Sequence, residues 1–167
     1  MEIERKYLIR GHSWQQQVTR SYHICQGYLS DDPERSVRVR LRDDEAFLTI
    51  KAASHDGGLS RQEFEYPIPI EDARELLKIT KKTIEKTRHI IPLQGTYISA
   101  DGQPIPVDLK IELDVFEGDN QGLIMAEVEL PDPHTTFPLP EYFAEEVTGV
   151  ERYYNLFLAT HPFNTWF

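Results

Sequence analysis

The sequence predicts an α+β, mainly β protein: an eight-stranded antiparallel closed barrel with a few flanking helices and a polar interior. The first observation behind this is a run of like-charged pairs at positions i and i+2: Glu2/Glu4 (continuing to Lys6), Arg38/Arg40, Arg40/Arg42, Glu63/Glu65, Lys86/Arg88, Glu112/Asp114 and Glu127/Glu129. Strand side chains alternate, so each pair projects onto one face and its apolar neighbours onto the other. The second is the matching sign within each pair. Like charges two apart on one face repel, and mixed signs would be the cheaper surface solution. A solvated sheet face explains one such strand but not a set. The third is a hydrophobic content of 40%, modest for a globular chain, as expected where strands line a polar cavity. About eight such strands point to a barrel, in which closure removes the edges.

Residues 2–9 read as a strand, 13–20 as a short helix and Tyr22–Leu29 as a second strand, followed by the turn Asp31-Asp32-Pro33-Glu34. Ser36–Arg42 and Ala46–Ala52 form a hairpin around Asp43-Asp44-Glu45, and Ser54–Ser60, with Gly57-Gly58, is a loop before strand Arg61–Ile68. Pro69–Lys82 is helical: Ile70, Ala73, Leu76 and Leu77 recur at helical spacing, with acids early and lysines late. Ile84–Pro92 is a strand and Gln94–Gly102 a turn-rich excursion. Strands Val107–Glu117 and Leu123–Pro131 flank a Gly-Asp-Asn-Gln-Gly turn. Segment 131–140, with four prolines, crosses the surface, and a final helix runs near Val150–Thr160.

The length suits one domain over residues 1–167, with a core that needs no staples. A net charge of −10 and the lack of a basic run argue against nucleic acid. Yet six of the 18 Lys and Arg residues (Lys6, Arg38, Arg40, Lys51, Lys86 and Arg88) follow the strand pattern. That suits a focused anion site inside an acidic protein. Cys25 is the single cysteine, which excludes a disulfide framework or thiolate metal site. The charged opening residues show no secretory signal, and no stretch has the roughly 18 apolar residues of a membrane helix. The expectation is a cytoplasmic protein that does not bind membranes, as monomer or homodimer.

The paired carboxylates number eight: Glu2, Glu4, Glu63, Glu65, Glu112, Asp114, Glu127 and Glu129. Facing one cavity with six bases, they would leave uncompensated buried charge, which is costly. A hard divalent cation relieves this, because Mg²⁺ takes oxygen ligands from carboxylates, phosphates and water. The bases then suit a phosphate chain clamped from several strands. This is the apparatus of phosphoryl transfer. No Gly-x4-Gly-Lys-Ser/Thr loop, Gly-x-Gly-x-x-Gly fingerprint or Gly-x-Ser-x-Gly elbow occurs. The six histidines lack zinc spacing. His89 falls on the face opposite Arg88 and reads as structural, as do Tyr7, Tyr22, Tyr153 and Tyr154.

Glu2-Ile3-Glu4-Arg5-Lys6 resembles the Glu-x-Glu-x-Lys signature of the CYTH superfamily, the triphosphate tunnel metalloenzymes. Further matches follow in family order: Gln26-Gly27-Tyr28-Leu29, Val37–Arg40, Thr49–Lys51, Ser60–Glu65, Glu85–Arg88, Glu112–Gly118, Glu127–Glu129 and Glu146–Thr148 with Arg152-Tyr153. The resemblance covers nearly the whole chain and is strongest to the short bacterial inorganic triphosphatases. It implies an eight-stranded tunnel that binds a triphosphate with Mg²⁺ or Mn²⁺. Carried over, Lys6, Arg38, Arg40, Lys51, Lys86, Arg88 and Arg152 bind substrate phosphates. Glu4, Glu63, Glu65, Asp114, Glu127 and Glu129 are metal ligands, and Glu2, Glu4, Glu63 and Glu65 the catalytic carboxylates. The implied reaction is hydrolysis of tripolyphosphate to phosphate and pyrophosphate, with weaker nucleoside triphosphatase activity. Class IV adenylate cyclase, thiamine triphosphatase and a non-catalytic polyphosphate- or nucleotide-binding module are the alternatives.

Overall fold

The computed structural model describes residues 2–53, 60–80 and 83–167. Among these, nine strands follow in chain order: β1 Glu2–Ile9, β2 Arg20–Asp32, β3 Arg35–Arg42, β4 Glu45–Ala52, β5 Ser60–Pro67, β6 Thr83–Ile98, β7 Pro104–Phe116, β8 Ile124–Glu129 and β9 Phe143–Glu146. Helix α1 spans Ile70–Ile79 and α2 spans Asn155–Thr160. All strand pairings are antiparallel, in the order β5-β4-β3-β2-β6-β7-β8-β1. The ring of eight closes where β1 meets β5, through the pairs Glu2↔Arg61 and Ile3↔Ser60. Beyond Ile3 the two strands diverge. The freed edge of β1 pairs instead with the ninth strand, at Tyr7↔Glu146 and Ile9↔Phe143.

Local chemistry sets the connections. A two-residue turn joins β3 and β4, and Asp43 adopts φ 52° there, a left-handed conformation that aspartate tolerates better than most residues. Its carboxylate accepts the His23 backbone N–H at 2.9 Å, tying the turn to β2. The loop expected at 54–60 lies, but for Ser60, outside the described residues. Helix α1 opens with Glu71 and Asp72 and carries Lys78 in its last turn. It stops at Ile79 rather than near Lys82, because Thr80 is extended (ψ 148°) and its hydroxyl donates to the Leu77 carbonyl at 2.7 Å. Lys81 and Lys82 lie outside the described residues. Segment 13–20 forms only a 3-10 turn, Ser13–Gln17, before the chain enters β2.

Two larger departures concern long elements. Gln94–Gly102 is not a turn-rich excursion. Residues 94–98 continue β6 and pair with Pro104–Asp108 of β7, leaving only the tip at 99–103 to turn. The proline-rich crossing stabilises this extension, since Thr96 and Thr136 exchange both backbone bonds, at 2.8 and 3.0 Å. The expected helix over Val150–Thr160 is interrupted. A 3-10 turn at Glu151–Tyr153 gives way to extended Tyr154 (ψ 139°) before α2 begins.

Apolar packing surrounds the barrel and also fills one end of it. Outside, Ile91, Ile111, Leu113 and Val128 pack under Trp14, Tyr142 and Phe143, while Val39 and Ala46 pack under Ala73 of α1. Inside, in phase with the inward charges, Ile84, Phe116, Leu123 and Met125 meet Leu158 and Ala159 of α2. That layer caps one end of the cavity. Strand parity puts Ile3, Val39, Ile50, Phe64 and Val128 on the outer face, but Ile50 and Phe64 have no cover, at 37% and 51% exposure. Helix α1 packs against β2, β3 and β4.

Gly95 tests the extended hairpin. A methyl group there would sit 2.5 Å from Leu109 Cδ1 and 2.9 Å from the Thr136 carbonyl oxygen, which is already committed to Thr96. Gly95→Ala is expected to destabilise the fold by about 1–3 kcal/mol, the usual range for overpacking, read as a lowered denaturation midpoint. An unchanged midpoint would show that the crossing is not held against β6.

Candidate active site

The barrel encloses a cavity of about 430 Å³ lined largely by charged side chains. Ring order sorts those charges. Glu63 and Glu65 of β5, Glu2 and Glu4 of β1, Glu127 and Glu129 of β8 and Glu112 of β7 occupy four consecutive strands. Lys51 of β4, Arg38, Arg40 and Arg42 of β3, and Lys86 and Arg88 of β6 occupy the other arc, with Tyr28 of β2 between them. An acidic wall therefore faces a basic one. Lys6, Arg61 and Lys110 are basic residues set on the acidic arc.

The basic wall is anchored by ion pairs across the joints between arcs. Buried Asp114 receives the Arg88 fork, Nε to Oδ1 at 2.8 Å and Nη2 to Oδ2 at 2.9 Å, and Lys86 Nζ lies 2.8 Å from Oδ2. Arg88 Nη1 also donates to Glu112 Oε2 at 2.9 Å. At the other joint, Lys51 Nζ donates to Glu2 Oε1 at 3.0 Å. Arg38 Nη2 donates to Thr49 Oγ1 at 3.2 Å, and the Thr49 hydroxyl donates to Glu65 Oε2 at 3.1 Å. Lys6 Nζ is 3.5 Å from Glu127 Oε1 and donates to the Tyr153 carbonyl at 3.4 Å.

Titration follows these surroundings. Burial, then the neighbouring Glu127 carboxylate, pushes Glu4 up to about 8. Burial also acts to raise Glu127, but Lys6, Arg88, Lys86 and a hydrogen bond from Glu4 outweigh it and hold Glu127 well below its usual range. The pair thus shares a proton that resides on Glu4. Glu2 is raised by burial and by a hydrogen bond with Glu63, and Glu129 by burial and the charges of Glu2 and Glu112. Burial lowers Lys86 to about 7 despite Asp114, beside the Phe116 ring 5.3 Å away. Burial, Arg38 and Arg88 bring Arg40 down to about 9. Arg88 stays above its ordinary value, because Asp114 and Glu112 overcome its burial.

Of the residues expected at the site, Glu2, Glu4, Lys6, Arg38, Arg40, Lys51, Glu63, Glu65, Lys86, Arg88, Glu127 and Glu129 line this cavity. Asp114 and Arg152 do not. Both Asp114 oxygens are committed to Arg88 and Lys86, so it backs the basic wall. Arg152 is exposed, with its guanidinium 4.0 Å from the centre of the Trp166 ring, because the break before α2 turns it away. Arg42, Arg61, Lys110 and Tyr28 also line the cavity, each two residues from a recognised site position or motif residue, so strand parity marks them. Tyr154 and Asn155 had no such signal. Tertiary packing brings them in, with the Tyr154 ring 4.3 Å from the Arg61 guanidinium and 5.2 Å from Lys6 Nζ. His23 meets Glu85 and Glu117 at 3.5 Å each, a grouping on the opposite face of β2 from the cavity.

The raised carboxyls set a pH dependence in chelator. Folded Glu2, Glu4 and Glu129 retain protons that the unfolded chain releases above about 4.5, so stability falls as pH rises from there towards the folded values. Lys86 opposes this only above about 7, where the folded chain binds fewer protons than the unfolded one. Thermal melts in chelator are therefore expected at higher temperature near pH ~5 than near pH ~7. Glu4→Gln should flatten the slope, whereas a wild-type midpoint that rises across this window would contradict the assignment.

Comparison with known proteins agrees with the geometry. Residues 1–156 match the CYTH domain family. An inorganic triphosphatase of Acetivibrio thermocellus is 36% identical over 167 residues, covering 99% of this chain and 97% of the relative. An inorganic triphosphatase of Nitrosomonas europaea is 37% identical over 163 residues, covering 95% and 96%. A crystal structure of an inorganic triphosphatase superposes with a TM-score of 0.60 at 30% identity, covering 95% of this chain and 94% of that one. With its motifs lying in order along a charged ring of strands, this chain belongs to the CYTH domain family.

Proposed function

We propose that the protein is a divalent-metal-dependent hydrolase that cleaves inorganic triphosphate to phosphate and pyrophosphate, as one tunnel domain over residues 1–167. The observation that carries this reading is the opposition of acidic and basic arcs across one cavity. A polyanion alone needs only the basic wall. The carboxylate-rich wall, where burial and Glu127 make Glu4 hold its proton, suits a cation as well. The inorganic triphosphatase relatives, aligned over nearly their whole length, support the same substrate.

The donor set fits a hard cation. Glu4, Glu127 and Glu129, with Glu2, Glu63 and Glu65 beside them, offer only carboxylate oxygens, which suits Mg²⁺ or Mn²⁺. Such an ion, when bound, neutralises charge on phosphate oxygens and acidifies bound water. The chain's own residues do the positioning. Arg38, Arg40 and Arg88 supply guanidinium forks, and Lys6, Lys51 and Lys86 supply point charges to the phosphate oxygens. Asp114 fixes Arg88 and Lys86, and Glu2 and Glu63 line the same cavity as carboxylates for taking the proton of the attacking water. Acting on a small soluble polyanion, and with no helix among the described residues long and apolar enough to cross a membrane, the protein is proposed to work in the cytoplasm as a monomer or homodimer.

Purified protein given tripolyphosphate, ATP and thiamine triphosphate with Mg²⁺ or Mn²⁺ tests the proposal. Tripolyphosphate is expected to be the preferred substrate, with phosphate and pyrophosphate as products and no turnover in excess chelator. Glu127→Gln and Glu129→Gln should each cut metal affinity or activity by about 10–100-fold, as loss of a metal's supporting groups typically does, while circular dichroism stays unchanged. Cyclic AMP as the main product from ATP, with tripolyphosphate intact, would replace this reading with a cyclase.

A further inference from the structure

Five of the cavity's cations are buried: Lys6, Arg38, Arg40, Lys86 and Arg88. Four have a carboxylate within 4.0 Å: Lys6 has Glu127, Arg38 has Glu65, Lys86 has Asp114, and Arg88 has Asp114 and Glu112. Among the described residues Arg40 has none. Its Nε donates to a neutral acceptor, Gln26 Oε1, at 2.9 Å. Gln26 is fully buried and does not line the cavity. Its amide is held from the other side, with Nε2 donating to Asn155 Oδ1 at 3.3 Å and to the Tyr28 hydroxyl at 3.4 Å. Asn155 Oδ1 also accepts from Lys86 Nζ at 2.9 Å.

We propose that Gln26 is a positioning residue that aims the Arg40 guanidinium into the cavity while leaving its charge for the substrate, and that Asn155 of α2 locks Gln26 in the orientation this requires. A carboxylate in Gln26's place would make the same hydrogen bond to Arg40 but neutralise it. An anion arriving at Arg40 would then compete with a permanent partner at bonding distance. At Lys6, Arg38, Lys86 and Arg88 the charge is already shared with protein carboxylates. Arg40 is the buried cation whose charge only an incoming anion can match, which makes it the strongest anchor for phosphate. This also assigns the C-terminal helix a part in substrate affinity. Through Asn155, one side-chain oxygen fixes the position of Lys86 directly and of Arg40 through Gln26.

The inference rests on the proposed function for the identity of the anion, and the test separates the two. Gln26→Glu and Gln26→Ala would be compared with wild type for tripolyphosphate affinity by calorimetry in chelator, for KM and kcat with metal, and for melting temperature. Gln26→Glu keeps the bond to Arg40 and loses only the Nε2 donor to Asn155 and Tyr28, whereas Gln26→Ala loses both, so a purely structural role would make Gln26→Ala the worse variant. The expected order is the reverse: Gln26→Glu weakens binding and raises KM by tenfold or more, Gln26→Ala by less. Asn155→Ala should resemble Gln26→Ala. Wild-type affinity in Gln26→Glu, or a larger loss in Gln26→Ala, would overturn the inference even if the protein is a triphosphatase. If the expected order appears in calorimetry without turnover of tripolyphosphate, the inference stands and the proposed function falls.

Discussion

Charge inside a closed ring of strands must be matched, and this governs the rest of the molecule. Asp114 shows the constraint most directly. It is 3% exposed and its two oxygens take three bonds from Arg88 and Lys86. Breaking such a buried pair by removing one partner costs about 3–5 kcal/mol, because the remaining charge is stranded. Asp114 therefore fixes two cations of the basic wall. The carboxylates of β1, β5 and β8 face the same constraint with too few bases. They meet it in part by protonation, Glu4 holding its proton beside Glu127, while burial and a hydrogen bond with Glu63 raise Glu2.

The apolar cap gives this electrostatic arrangement its depth. Ile84, Phe116, Leu123 and Met125 fill the barrel beneath Leu158 and Ala159, so Lys86 lies against hydrocarbon on one side and Asp114 on the other. Dry surroundings strengthen every interaction the cavity makes and raise the cost of any group left unmatched. The interruption at Tyr154 belongs to the same device. An unbroken helix would withdraw the Tyr153 carbonyl from Lys6 and the Tyr154 ring from its place between Lys6 and Arg61. Ordinary helical pattern yields here to the contacts that close the site.

Much of the site was legible because strand geometry converts spacing into direction. A residue two positions from Glu63 or Glu112 shares its face, which brings Arg61 and Lys110 into the cavity along with the recognised pairs. Phase alone did not reveal that Asp114, buried beside Arg88 and Lys86, is a counter-ion to both and lies behind the cavity lining. It was silent about Asn155, which reaches the cavity from a helix more than sixty residues along the chain from Lys86. Gln94–Gly102 was misread because its Gly and Thr residues are turn-formers locally. Gly95 and Thr96 are held extended by pairing with β7, and Thr96 also by Thr136, a partner outside any local window.

By itself, then, the sequence determined which faces of which strands are charged, and hence that a polar interior exists, because alternation along a strand is a local property of the backbone. Only the tertiary structure decided how those faces are distributed. Ring order sets β5, β1, β8 and β7 side by side and β4, β3, β2 and β6 opposite them. Strands far apart in the chain, β1 and β8 among them, become neighbours through backbone pairing. That pairing carries no mark in either segment alone, yet it separates an acidic wall from a basic one within one cavity.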